Sequence, residues 1–391
     1  MKRFLLALAF LGFIVSGLPT PADAACAGGT CYWRAALTKN WSDASGTGPW
    51  ATSSGGAACS CAPASSADSV VFDTNSNGSV ATIDSTLTIG SFDATGYTGT
   101  LTQSATLTVA GNTFKLASGM TFTATNRLTT FTPASGNTVT VTSAGKSFGA
   151  LTLTGADGTA QLKLADALTL LNNSNGNLTI NAGIFDAATN NVAVTFYAFA
   201  SPNGSSRTIN MGSNTWTVTG DDTAITAFSV GSTATLNAGT STLLFNKATP
   251  VTTVSLDLGT LSLNIVTLNA GSAFPSNLSS NGGTIKTLNV GSPTKTVTFS
   301  NSKTYTITDA LNITGSLSNP ILFQSNVSFA SSTLAITSGS ITDWVGFRGI
   351  TLTGSGTKLV GTNCLDYGQN NFNSGTCTAP VMGGGGRIIG G

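Results

Sequence analysis

The chain is dominated by short runs in which threonine or serine alternates with leucine, isoleucine, valine or phenylalanine. Thr215-Trp216-Thr217-Val218-Thr219 and Thr304-Tyr305-Thr306-Ile307-Thr308 are clear examples. A period of two puts successive side chains on opposite sides of an extended backbone, so each run reads as a strand with one apolar and one hydroxylated side. The runs stop at turn pairs such as Asn77-Gly78, Ser135-Gly136, Asn203-Gly204 and Asn281-Gly282, which supply the backbone conformations that tight turns need. No segment downstream of residue 24 carries a helical period.

The runs also repeat. A template of Leu, any residue, then Val, Ile or Leu, followed closely by Gly or Ser, occurs at Leu107, Leu151 and Leu178. It returns in full or shortened form at Leu268, Leu288, Leu311, Leu334 and Leu352. The last members are spaced by roughly 20 residues, about the length of chain in one coil of a β-solenoid. Such a coil buries every second residue on its equivalent in the next coil, places Gly and Asn at corners, and leaves small polar residues outside. The expected fold is therefore all-β, a parallel β-helix. A string of antiparallel sandwich domains shares the short strands and turn signals and is the competing architecture.

Composition narrows the chemistry. Charged residues are 8% of the chain and the net charge is +1, where an average soluble protein carries about 25% charged residues. With no basic run, a nucleic-acid groove is not expected. The chain has no histidine, and all its acidic residues are aspartates. Ser-His-Asp triads, Cys-His pairs, HExxH zinc sites and Glu-based glycosidases are thereby excluded. No enzymatic activity is expected.

Residues 1–24 read as a signal peptide: Lys2 and Arg3, an apolar run from Phe4 to Val15, and Ala22-Asp23-Ala24 as the cleavage site. Export in turn lets the six cysteines form disulfides. They lie at the two ends, with Cys26, Cys31, Cys59 and Cys61 before the repeats and Cys364 and Cys377 after them. Cys59 and Cys61 are close neighbours poorly placed to bond each other, so each is expected to pair with Cys26 or Cys31, and Cys364 with Cys377. The C-x-C and C-x4-C spacings do not match the usual C-x2-C of zinc sites. The organisation expected is a Cys- and Trp-rich N-terminal cap (25–67), a solenoid body (68–360), a C-terminal cap (361–380) and a glycine-rich tail (381–391). Caps are needed because a solenoid exposes unpaired strand edges at both ends.

The opening Cys31-Tyr32-Trp33, Asn40-Trp41-Ser42-Asp43, Trp50, then Ser66-Ala67-Asp68-Ser69-Val70-Val71-Phe72-Asp73 resembles the start of exported bacterial β-helix proteins of the autotransporter-passenger and adhesin type. The resemblance implies a right-handed coil, a Trp-containing cap, and a structural or adhesive role at the cell surface or outside the cell. The implied partner is a cell-surface or extracellular glycan or protein, with self-association as a further option. Similar β-helices with glycine-rich tails occur in phage tail fibres and spikes, which is the first alternative. A β-helix polysaccharide lyase or hydrolase is the second.

Four groups are candidate sites. Trp33, Trp41 and Trp50 offer indole faces on which sugar rings stack, or else they plug the open end of the coil. Asp73, Asn75, Asn77 and Asp84 follow the oxygen-ligand spacing of a calcium loop, with Gly78 at its turn. Strands predicted on both flanks favour an ordinary Asn-Gly turn, and no cofactor is expected. Asp221 and Asp222 are the adjacent acidic pair at which catalysis would be sought if the chain were an enzyme. Arg387-Ile388-Ile389, flanked by glycines, is a short apolar hook that could add to a partner's strand edge.

Overall fold

A computed structural model describes residues 26–372 apart from 27, 36, 221–225, 247–253, 258–260, 269–273, 280–281, 292–294, 317–319, 338–343, 356–363 and 369. The chain is a β-solenoid of parallel stacked strands. In the first coils each turn contributes a strand to each of three faces. Face I contains Ser69–Val71, Ser91–Asp93, Thr113–Lys115 and Thr138–Thr142. Face II contains Val80–Ile83, Thr100–Gln103 and Thr121–Thr123, and face III contains Leu87–Ile89, Leu107–Val109, Leu128–Phe131 and Ala150–Thr154. The pairings between coils are parallel, which excludes tandem antiparallel sandwiches. On face II the ladder breaks between Thr121–Thr123 and Ser147–Phe148, where Phe122 still packs on Phe148 with ring centroids 5.6 Å apart.

The alternation read from the sequence sets which side chains enter the core. On face II, Leu168, Val194, Trp216, Leu243, Val266, Leu288 and Leu311 stack rung on rung, and each is at most 1% exposed. On face III, Leu151, Leu178, Phe199, Phe228 and Leu256 form the corresponding column. Thr129 occupies one rung of it, fully buried beside the equally buried Gln103. The Gln103 amide donates to the Thr129 hydroxyl at 3.2 Å and to the Leu128 carbonyl at 3.0 Å. A buried polar group that is paired in this way escapes most of its desolvation cost.

Coil length varies more than the sequence template does. Hydrogen bonds between neighbouring coils join residues 20 apart at Ile350–Asn370, 23 apart at Gly136–Thr159 and 27 apart at Asn210–Asn237. The cross-section also changes. Among the described residues, face I ends with Ala234–Asn237, and the longer strands Ser262–Leu268, Gly283–Gly291 and Thr304–Thr314 then continue face II. The Leu template therefore marks face III at Leu107, Leu151 and Leu178 but face II at Leu288 and Leu311.

One corner depends on a glycine. The strand Asn177–Asp186 passes from face III to face I without a break, and it turns at Gly183 with φ +97°. A Cβ there would lie 2.4 Å from the Ala160 carbonyl oxygen. Gly183→Ala is expected to destabilise the chain by about 3 kcal/mol, combining the left-handed backbone penalty with overpacking against backbone. Gly136 has φ +70° but nothing within 4 Å of a Cβ, so Gly136→Ala should lose only about 1 kcal/mol. Urea midpoints of the two variants check the difference, and equal losses would remove the steric part of the argument.

The N-terminal end is closed by the segment expected to cap it, which also supplies the first rungs. Thr30–Trp33 pairs with Ser69–Val71 on face I, and Thr38–Asn40 pairs with Val80–Ile83 on face II. The outer edge of Thr30–Trp33 is covered by Trp50–Ala51, the one antiparallel pairing among those of the described residues. A reversed strand fills the edge that would otherwise template another chain.

Candidate adhesive faces and the N-terminal plug

The three cap tryptophans are not a platform. Trp33 is 0% exposed and Trp41 and Trp50 are 1% exposed, which leaves no indole face for a sugar. Trp33 stacks on Phe72 at 5.1 Å and meets Trp50 edge-on at 4.9 Å, and Trp41 meets Trp50 at 4.7 Å. The Trp41 indole N–H donates to the Pro63 carbonyl at 3.0 Å, and that of Trp50 donates to the Trp41 carbonyl at 2.8 Å. The cluster fills the end of the core, continued by Phe92 and Phe114 in the next coils.

The four residues with calcium-loop spacing do not converge either. Asp73 caps the short 3-10 turn Thr74–Ser76, accepting from the Asn75 amide at 2.9 Å and from the Ser54 hydroxyl at 2.5 Å. The Asn75 side chain donates to Ser54, while Asn77 accepts from the Thr98 amide in the next coil. Asp84 accepts from both the amide and the hydroxyl of Ser42. These oxygens tie one coil to another. Among the described residues no group of three or more Cys, His, Asp or Glu is placed to hold a metal ion. Asp221, Asp222 and the hook Arg387-Ile388-Ile389 lie outside the described residues.

The expected cysteine pairing is corrected. Cys26 bonds Cys31, and Cys59 bonds Cys61. Ser60 makes the second bridge feasible. Its φ of +51° folds the chain back, bringing the Cα atoms of Cys59 and Cys61 to 5.2 Å, inside the range a disulfide spans. The first bridge is set by the turn in which the Gly29 amide donates to the Cys26 carbonyl at 3.0 Å. Cys364 is buried and disulfide-bonded, whereas Cys377 lies outside the described residues.

What the outside of the rod presents follows from the same alternation. On face III, Thr88, Thr108, Thr130, Thr152 and Thr179 occupy one outward column on successive coils, spaced by about 4.8 Å. On face II, Asn40, Thr82, Thr102 and Thr123 form a column, and Ser147, Thr169, Thr195 and Thr217 form another beyond the break. Neither column contains a charged residue. Charge lies outside these columns: face I has Asp93 opposite Lys115 and Lys163 opposite Asp186 on adjacent rungs, face II carries Lys39, Lys286 and Asp309, and face III carries Asp257 and Arg348. These residues were not singled out from sequence, although for most of the threonines the outward parity is written in the apolar residues on either side, as in Leu151-Thr152-Leu153 and Leu107-Thr108-Val109.

Other charges sit in corners and are held there. Asp157 is kept low, at about 2, first by the Ser135 hydroxyl, then by the hydroxyl and amide of Thr159. Asp43 is likewise at about 2, chiefly through Lys39, whose ammonium lies 2.7 Å away, and then through Ser45. Lys39 and Asp43 line a shallow groove with Thr38, Asn40, Ser42 and Thr82 at the N-terminal rim of face II. Trp216, flanked by threonines in its run, points inward and is fully buried.

Compared with known proteins, the chain matches no family model, no curated protein and no solved structure.

Proposed function

We propose that the chain is an exported structural or adhesive element, a rigid rod whose uncharged, hydroxyl-lined columns meet an extracellular glycan or protein. The observation that carries this reading is the uncharged columns themselves: on successive coils the outward positions Thr88 to Thr179 of face III and Ser147 to Thr217 of face II are all hydroxylated. A rigid sheet face presents its hydroxyls and methyls already ordered, so binding costs little further side-chain entropy. The signal-peptide reading and the disulfide-bonded cap support an oxidising, exported setting.

Immunogold electron microscopy of the producing culture, with antibody raised to residues 68–360, tests the setting. Gold on the envelope or on extracellular fibres is expected. Gold on phage particles would instead make the chain a fibre or spike subunit. The faces are tested by Thr130→Asp combined with Thr152→Asp. Both positions are outward and half-buried and pair on adjacent rungs, so the two carboxylates repel and the double variant should lose about 1–2 kcal/mol while remaining folded. Retention on the isolated envelope fraction should fall about tenfold, because two desolvated carboxylates oppose docking. Unchanged retention would remove face III from the proposal.

A further inference from the structure

The two bridges of the N-terminal cap lie side by side. Cys26–Cys31 spans a sequence separation of 5 and Cys59–Cys61 a separation of 2. Yet Cys26 Sγ is 3.6 Å from Cys61 Sγ, across a separation of 35. Asp68 clamps the two loops in this contact. It is fully buried, and one of its oxygens accepts from the Gly28 amide, beside Cys26, at 3.0 Å. The other accepts from the Ala64 and Ser65 amides, just past Cys61, each at 3.0 Å. Cys31 and Cys61 are buried, while Cys26 and Cys59 are only partly so. An external thiol therefore reaches the second bridge at Cys59, and the sulfur released is Cys61, which faces Cys26.

From this juxtaposition we infer that the cap contains a built-in disulfide exchange, in which reduction of Cys59–Cys61 passes the bridge on to Cys26–Cys61. The reductant is a dithiol. One of its thiolates attacks Cys59 Sγ and expels Cys61 as a thiolate. Its second thiol then closes the reductant's own disulfide and leaves Cys59 as a thiol, so two electrons have entered the cap. The Cys61 thiolate attacks Cys26 Sγ. The Cys26–Cys61 bond forms, the Cys26–Cys31 bond breaks, and Cys31 leaves as a thiolate that takes up a proton. The second step moves no net electrons.

Burial favours the product. Cys31 sits in the apolar core cluster, where a neutral thiol packs as a small hydrophobe. The consequence is a cap that a single reduction does not unstaple. It trades a short local bridge for one tying the chain ahead of the first strand to the loop beyond the covering strand Trp50–Ala51.

The test uses the full chain treated with limiting dithiothreitol, quenched in acid, alkylated and digested with trypsin. Cleavage after Arg34 and Lys39, with the next basic residue at Lys115, puts Cys26 and Cys31 in one peptide and Cys59 and Cys61 in another. The present bridges are each internal to one peptide, whereas the exchanged bridge joins the two. Exchange predicts a joined pair alkylated at Cys31 and Cys59 as the main singly reduced form. Alkylation at Cys59 and Cys61 with Cys26–Cys31 intact would overturn the inference. A second arm needs no reductant: in Cys59→Ser the lone Cys61 should form the joined pair during oxidative folding and leave Cys31 free. A free Cys61 in that variant overturns the inference equally, and if the variant does not fold, the limiting-reduction result decides alone.

Discussion

Trp50→Ala is expected to destabilise the N-terminal cap by about 3–5 kcal/mol, the range for deleting a large buried aromatic. Trp50 is 1% exposed and central to the plug. It meets Trp33 edge-on at 4.9 Å, Trp41 at 4.7 Å and Phe72 at 5.9 Å. Its indole N–H also satisfies the Trp41 carbonyl at 2.8 Å, so truncation leaves a cavity together with a buried acceptor lacking that donor. Its strand is moreover the one covering the edge of Thr30–Trp33. Because a solenoid coil contacts only its neighbours, the loss should remain local. Amide hydrogen exchange is the appropriate measurement. Protection should collapse over Thr30–Trp33 and Ser69–Val71 and stay intact over Thr215–Val218, many coils away. Uniform loss along the rod would contradict a cap stabilised in this local way.

The same cap shows where sequence reading succeeds and where it stops. That tryptophans would gather at the end of the coil follows from the need to cover an open core, and burial decides between plug and sugar platform. The cysteine pairing was not legible, because it turns on one backbone angle: Ser60 at φ +51° lets residues two apart approach within bonding range, and serine gives no signal for that conformation. The calcium-like spacing, outweighed in the sequence by the strands on its flanks, shows the same limit. Asp73, Asn75, Asn77 and Asp84 stand at loop positions 1, 3, 5 and 12, but in space Asp73 and Asn75 turn to Ser54, Asn77 to the Thr98 amide and Asp84 to Ser42. Spacing specifies a ligand set only when the backbone wraps around a common centre.

The body was read more securely, because parity in a strand has only two values. Threonines between two aliphatic residues had to face outward once those were assigned to the core, which places Thr88, Thr108, Thr152 and Thr179, whereas Thr130, beside the buried Thr129, is placed by its register with Thr108 and Thr152. The phase of the repeat was less visible. A Leu-x-Leu triplet can serve any face, so the template could not distinguish face III at Leu151 from face II at Leu288. Nor could it show that the coil passes from three separate faces to longer merged strands after Ala234–Asn237. Glycines at corners such as Gly183 resemble glycines at ordinary turns, and only the neighbouring coil reveals which one has no room for a methyl group.

Parity also makes the sharpest demand that can be placed on the body. Val194 and Thr195 are adjacent in the strand Val194–Phe196, one fully buried and the other outward. Val194 lies in the column between Leu168 and Trp216. An aspartate there would have to ionise without solvent or to protonate and still lack a hydrogen-bond partner of its own. Val194→Asp is therefore expected to lose more than about 4 kcal/mol, since a buried unpaired carboxyl adds to the lost apolar contact. Thr195→Asp joins an outward column between Thr169 and Thr217 and should change stability by no more than about 0.5 kcal/mol. The rod geometry predicts how the first variant fails. Coils are joined only through their neighbours, so one disrupted rung separates two partial solenoids instead of abolishing folding at once. Denaturant unfolding of Val194→Asp should split into two transitions, with exchange protection retained longest over the aromatic stack of Phe72, Phe92 and Phe114, while Thr195→Asp keeps the transition of the parent chain. If both aspartates were tolerated equally, the assignment of inside and outside along face II would fail, and with it the threonine ladder on which the adhesive reading rests.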